Sequence, residues 1–472
     1  MSPFPRSAPA LSVVAVLALA ACSGDAPTPV SPADTSPSAA LIANQIPTRA
    51  QEKPFAIASA SDEVLWRHIE AGGGRAVVGL KAPGARRGFW RGRVLTDLPT
   101  RQSGRKAVLA QKGVTALRID DLLPTVEVRL ESIRALSAIR KLAVVDYVEP
   151  VMVAGDVQPF AGVGGCGWGD AWTGDRQYTA SGDIYSQKLT AMNVPAAWGY
   201  SSGAGMTIGL IDTGISSGQG QFTSTFTSGE SGGRSLQLLY VSGSFSSPYD
   251  ECGHGTRMAG IIAAPRDGQS VGGIAYKANL VSVRHANGVA AVSSSDAKYS
   301  VRLANQAGAR IIVMAWESIN WFWQVSDEIE YWHNSRPVLF FGAAGTSGCG
   351  DGILDSNVVF PADMPEVVAV TGITYPGGGI PCGIHRGSDV ELTAYLDIPS
   401  TGRLTGDVVG MGGSSNATAV VGSIAALTWA ANPGLTRDQL RARLQQSGSY
   451  YPSRHSEQGY GLVNALKAVR GY

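Results

Sequence analysis

Three stretches of the chain hold residue types that could transfer an acyl group, in the order carboxylate, imidazole, hydroxyl. The first, Met206-Thr-Ile-Gly-Leu-Ile-Asp212-Thr213-Gly214, is an apolar run ending in a carboxylate and a turn glycine. In the second, Cys252-Gly253-His254-Gly255-Thr256, an imidazole sits between glycines, with Met258, Ile261 and Ile262 following at helical offsets. The third, Gly412-Gly413-Ser414-Ser415-Asn416-Ala417, opens a small-residue helix that stops before Pro433. A serine hydroxyl attacks a carbonyl when a base takes its proton, a third group orients that base and donors receive the oxyanion. Taken singly, Asp212 reads as a capping aspartate, His254 as a surface histidine and Ser415 as a helix N-cap. Together they supply the parts that a serine nucleophile needs.

These residues require elements that hold them. A carboxylate closing a buried strand lies at the carboxyl edge of a sheet, where open α/β folds place their ligand sites. A helix amino end gives Ser415 unpaired N–H groups and the positive end of a dipole. Apolar strands expected at 206–211, 280–284, 310–314, 338–343 and 367–371 alternate with helical stretches. Such runs predict an α/β, doubly wound, mostly parallel sheet with helices on both faces. Upstream, strands at 75–80 and 143–150 and a helix at 132–139 predict a small α+β unit. Residues 157–174 are glycine-rich and aperiodic, an exposed linker that a protease could cut.

The whole chain sets wider bounds. Its 472 residues are 44% hydrophobic and 16% charged, which excludes disorder, coiled coil and collagen. A net charge of +1 argues against a nucleic-acid partner. The charge is unevenly spread: residues 54–153 hold 16 Lys/Arg against 10 Asp/Glu, and residues 154–472 hold 19 against 24. Mutual attraction of the two parts is therefore expected.

Arg6 precedes an apolar run at 11–21 that is too short to span a bilayer. Its close, Leu19-Ala20-Ala21-Cys22, resembles the lipobox of bacterial lipoproteins, which implies a signal peptide at 1–21 and lipid on Cys22. Residues 22–53, rich in Pro, Ser, Thr and Ala, read as a flexible tether. No other stretch is apolar enough to predict a transmembrane helix. Cys166, Cys252, Cys349 and Cys382 are even in number in an apparently exported chain, and two disulfides are expected. Three pairings are open, with Cys349–Cys382 and Cys166–Cys252 favoured. No two of these cysteines stand at zinc-ligand spacing.

The wording and order of the three stretches resemble the subtilisin family of serine proteases, with its Asp-Thr-Gly strand, His-Gly-Thr helix and Gly-Thr-Ser-Met-Ala helix. The likeness extends through Phe360-Pro-Ala, Leu392-Thr-Ala and Gly459-Tyr-Gly-Leu-Val-Asn464, over about 190–470. It implies Ser415 as nucleophile, His254 as base and Asp212 as orienter. It also implies a catalytic domain at 175–472. Residues 54–153 look like the family's inhibitor-type propeptide, a ferredoxin-like α+β domain ending in Tyr147-Val148-Glu149-Pro150 and followed by a cut within 154–174. On this reading a basic chaperone segment binds an acidic enzyme.

Several positions depart from the family. Its oxyanion asparagine is here Thr346, in Ala343-Ala344-Gly345-Thr346. Its substrate-binding Ser-Leu-Gly, which pairs with the peptide and lines the pocket for the residue before the cut, is here Ala315-Trp316-Glu317. Glu317 could narrow that pocket, attract Lys or Arg, or face solvent. Trp321, Phe322, Trp323 and Trp332 could floor a peptide groove or fill core. Ser414, Asn416 and Ala419 stand where the family has Thr, Met and Pro. No cofactor is required; structural calcium is common in the family, but no Asp-x-Asp-x-Asp-Gly loop names ligands. The expectation is a monomeric, exported serine endopeptidase of the bacterial cell envelope, lipid-anchored or released, acting on proteins. The competing reading is a weak or inactive subtilase-fold surface protein that binds peptides, and a smaller one is an amidase or esterase.

Overall fold

The computed structural model describes residues 55–81, 98–152, 166, 170–288, 293–347, 349 and 355–472. The expected signal peptide, Cys22, the tether and most of the expected cleavage stretch lie outside the described residues.

The amino-terminal unit is a four-stranded antiparallel sheet of Arg75–Leu80 (β1), Val114–Ile119 (β2), Thr125–Leu130 (β3) and Val145–Pro150 (β4). The strand order is β2-β3-β1-β4. Helices Asp62–Ala71 (α1), Leu98–Leu109 (α2) and Ile133–Arg140 (α3) accompany it. From β1 onward the chain runs β-α-β-β-α-β, the split arrangement of ferredoxin-like domains. Side chains alternate across a strand. Val78, Val126 and Val148 therefore share a core with Leu136 and Ile139, while Val77, Glu127 and Glu149, paired in register, occupy the opposite face. Gly79 is needed on that face: a Cβ there would lie 2.2 Å from the Tyr147 ring.

The larger unit is built on seven parallel strands. They are Thr207–Asp212 (β5), Leu236–Tyr240 (β6), Asn279–Arg284 (β7), Ile311–Met314 (β8), Leu339–Ala343 (β9), Val367–Ile373 (β10) and Val390–Tyr395 (β11). Their order is β11-β10-β9-β8-β5-β7-β6. The relevant helices are His254–Ala263 (α4), Ser294–Gln306 (α5), Trp323–Ser335 (α6) and Ser414–Ala431 (α7). Strands β5, β8, β9 and β10 read as nearly continuous apolar runs because both faces are covered. Ile208, Val313 and Phe341 join one core with Ala417 and Val421 of α7, whereas Ile312, Met314 and Phe340 join another with Val301 of α5 and Ile329 of α6. Among the described residues no helix is long and apolar enough to cross a membrane.

The two units meet on α5 and α6. Glu149 accepts the Trp323 and Gln324 amides at 2.8 and 3.1 Å, capping α6 from outside, and the Tyr147 hydroxyl donates to Asp327 at 2.9 Å. Asp120 accepts from Lys298 at 2.8 Å and from Arg302 at 3.0 Å. Ser294 donates its amide to the Val151 carbonyl at 2.8 Å. The ion pairs across this joint correct the expectation from net charge: their acids, Asp120 and Asp121, belong to the amino-terminal unit and their bases, Lys298 and Arg302, to the larger one. Net charge sums every exposed side chain, but docking uses one side of the unit, where the turn after β2 presents these two acids.

The aromatic concentration is also settled. Phe322 is buried against Phe360, and Trp323 packs beside Val77, Tyr147 and Val151 of the amino-terminal unit. These rings fill core and joint, so they are not the floor of a groove.

Candidate active site

Asp212, Ala315 and Thr346 lie at or just beyond the carboxyl ends of β5, β8 and β9, on one edge of the sheet. His254 and Ser415 enter from the first turns of α4 and α7.

Asp250 prepares the start of α4: its carboxylate accepts the amides of Cys252 (2.9 Å), Gly253 (2.7 Å) and Thr256 (3.1 Å). Two further bonds stitch the motifs together, Gly255 N–H to the Thr213 hydroxyl (2.9 Å) and Ser216 N–H to the Thr256 hydroxyl (2.8 Å). Gly255 permits this approach, since a Cβ there would lie 2.2 Å from the Gly214 carbonyl oxygen. Disulfide Cys166–Cys252 anchors the same turn, and Cys349–Cys382 joins two loops elsewhere.

His254 Nδ1 lies 2.8 and 2.9 Å from the two Asp212 oxygens, and both side chains are almost wholly buried. The Thr213 amide also donates to Asp212, at 2.7 Å. An ionised carboxylate only accepts. This pairing therefore puts the proton on Nδ1 and leaves Nε2 as the basic nitrogen. The Ser415 hydroxyl donates to the Ala315 carbonyl at 3.0 Å in this state.

The remaining expected site residues have other partners. Thr346 Oγ1 accepts the Ser414 amide at 3.1 Å and lies 3.1 Å from the Ser414 hydroxyl, so it caps α7. Trp316 is buried between His285 and Phe360, so its side chain is core and lines no groove. Glu317 does not face bulk solvent: both its oxygens approach the Thr346 amide, at 3.0 and 3.1 Å. It is partly exposed, yet its carboxyl is desolvated enough to be pushed up to about 8. Burial likewise pushes the His285 imidazole down to about 3. Asp250 and Ser414 escaped the sequence reading. An Asp four residues ahead of His254 was a visible signal for the first; the second has only its contacts.

A model of the subtilase family matches residues 203–461, more than half of the chain. The chain belongs to the subtilase family of serine endopeptidases. This subtilase is 30% identical over 224 residues to the thermostable alkaline protease of Halalkalibacterium halodurans, which covers 47% of this chain and 59% of that one. It thus spans under two thirds of that relative. It is 26% identical to subtilisin DY of Bacillus licheniformis over 298 residues, 61% of this chain and 98% of that one. Among solved structures, fervidolysin from Fervidobacterium pennivorans, described as a keratinolytic enzyme related to subtilisin, superposes with a TM-score of 0.64. That likeness covers 84% of the subtilase and 61% of fervidolysin at 17% identity, and it speaks to the fold.

Proposed function

We propose that this subtilase hydrolyses peptide bonds of proteins through an acyl-enzyme on Ser415. The observation that carries the reading is the buried two-oxygen grip of Asp212 on His254 Nδ1. The Ser415 hydroxyl turns from Ala315 to His254 Nε2, its oxygen bonds to the scissile carbonyl carbon, and its proton passes to His254. As the C–N bond breaks, His254 gives that proton to the leaving amine. Water then repeats the sequence and frees the acid. The developing oxyanion meets the Ser415 amide in the first turn of α7, since the neighbouring Ser414 and Asn416 amides are bonded to Thr346 and Gly413. Thr346 stands beside this position, though its hydroxyl is committed to Ser414.

Residues 54–153 are proposed to act as the inhibitor-type propeptide, folding assistant and inhibitor together, removed by a cut within 154–174. Support comes from the docking on α5 and α6, where Ser294 also donates its hydroxyl to the carbonyls of Pro150 and Val151. Export, lipid attachment at Cys22 and a monomeric mature enzyme at the bacterial envelope complete the proposal. Among the described residues no group of three or more His, Cys, Asp or Glu side chains comes together. The enclosed carboxylate Asp183 spends its oxygens on Thr179, Ser181 and the amides of Asp267 and Gly268.

The test uses protein lacking residues 1–22 beside its Ser415→Ala variant, with intact masses and amino termini followed over time. Loss of roughly 130 residues, an estimate from the position of the linker, by the wild type alone supports both the protease and the nucleophile. If both remain whole while folded, the active-protease reading fails, and the competing reading of a peptide-binding member of the fold is the one to test.

A further inference from the structure

We infer that Glu317 sets the substrate preference of this cleft and that the preferred cut follows Lys or Arg. The inference rests on the protease reading and names its substrate class.

The bond from Ser415 to the Ala315 carbonyl fixes where β8 meets the nucleophile. Beyond Ala315 neighbouring side chains diverge: Trp316 enters the core against Phe360, and Glu317 meets the Thr346 amide. Its carboxyl reaches the Thr346 amide, Thr346 bonds to Ser414, and Ser414 is followed by Ser415. Glu317 thus bridges the end of β8 and the turn after β9, next to the helix amino end where the oxyanion forms. A substrate whose carbonyl oxygen occupies that place carries a side chain on the adjacent carbon. That side chain, from the residue before the cut, is the one brought towards Glu317.

The charge around Glu317 is uncompensated. Three enclosed acids have a cation of their own, Asp120 from Lys298 and Arg302, Glu328 from Arg302, and Glu391 from Arg441, whereas Glu149 and Asp327 at the joint are met by neutral donors from across it. The Thr346 amide is the sole hydrogen-bond partner of Glu317 among the described residues, and no cation pairs with it. Burial alone raises its affinity for a proton, to a midpoint of about 8. Partial exposure leaves one side open. An entering ammonium or guanidinium would supply the missing partner, and a charge-assisted bond in a part-dried site is stronger than a neutral one. An aromatic or aliphatic side chain would leave the acid unpaired and dry.

The experiment measures kcat/KM of the self-processed enzyme for peptides differing only in the residue before the cut: Arg, Lys, Leu, Phe and Ala. Arg and Lys are expected to exceed Leu and Phe by tenfold or more. Glu317→Gln should collapse that ratio towards one, and Glu317→Asp should restore part of it. A preference for Ala would overturn the inference, since the carboxyl would then only shorten the pocket. An equal loss on every peptide in Glu317→Gln would also overturn it, because Glu317 would then only hold Thr346. Cleavage without a basic preference sinks this inference and spares the protease reading; no Ser415-dependent cleavage of any peptide sinks both.

Discussion

At the cleft, the buried carboxylate Asp212 is met by two donors, the His254 ring and the Thr213 amide. At the joint with the amino-terminal unit, Glu149 is met by two helix amides and Asp327 by a tyrosine hydroxyl. Lys298, whose charge acts on Glu149 through space, is bonded to Asp120. Burial outweighs the amides and pushes the Glu149 carboxyl up to about 8, and it raises Asp327 in the same direction. Asp212 is thus fixed by directional bonds to its neighbours, whereas burial at this corner of the joint leaves carboxyls that favour the proton. One arrangement suits catalysis, which needs a fixed field, and the other suits an attachment that can be undone.

The largest expected effect breaks the cleft side of this contrast. Asp212→Asn would give His254 the wrong tautomer and should lower kcat by about 10⁴-fold, read with a peptide substrate. On the joint side, Asp120→Asn leaves Lys298 and Arg302 facing a neutral amide in a buried place. Breaking such a buried pair costs about 3–5 kcal/mol, to be read as a loss of docking in Ser415→Ala protein by hydrogen exchange over α5.

The sharpest discrimination is in pH. The Glu149 carboxyl rises from 4.5 to about 8 on docking, so its contribution is complete below 4.5 and disappears as pH rises through 8. Asp120 is lowered from 3.8 to about 2, against its own burial, by Lys298 and Arg302. Its contribution is present above 3.8 and lost as pH falls towards 2. Amides at the start of α6 in Ser415→Ala protein should therefore lose protection beyond the intrinsic pH effect between pH 4.5 and about 8. Glu149→Gln should flatten that extra loss, and an unchanged profile would contradict the assignment.

The smallest effect concerns Thr346. As a cap for α7, Thr346→Val should cost about 1 kcal/mol of stability, measured by thermal unfolding. As an oxyanion donor it would instead cost about 100- to 1,000-fold in kcat. We expect the former with less than about a tenfold change in kcat, the order that a 1 kcal/mol disturbance allows.

Much of this was legible in the chain. The strand ending at Asp212, the helix starting at His254 and the helix opening at Ser414 are encoded by neighbours within a dozen residues, because apolar runs, glycines and caps act locally. β1 likewise reads directly at 75–80. By contrast β6 and β11 escaped, as Gln237, Glu391 and Thr393 interrupt their apolar pattern. The partners of Glu317 and Thr346 were equally hidden, lying 29 and 68 positions away.

By itself the sequence determined the parallel-sheet class, the strand and helix starts that carry Asp212, His254 and Ser415 and the presence of a separate α+β unit, since each rests on short-range pattern; the roles proposed for those three residues come from the family resemblance. Only the tertiary structure decided that Trp316 is core, that Thr346 caps a helix, that Glu317 lacks a cation and that the amino-terminal unit docks through acids on bases. Those outcomes depend on which side chains from distant segments share a dry place, and burial there sets both the partner and the charge.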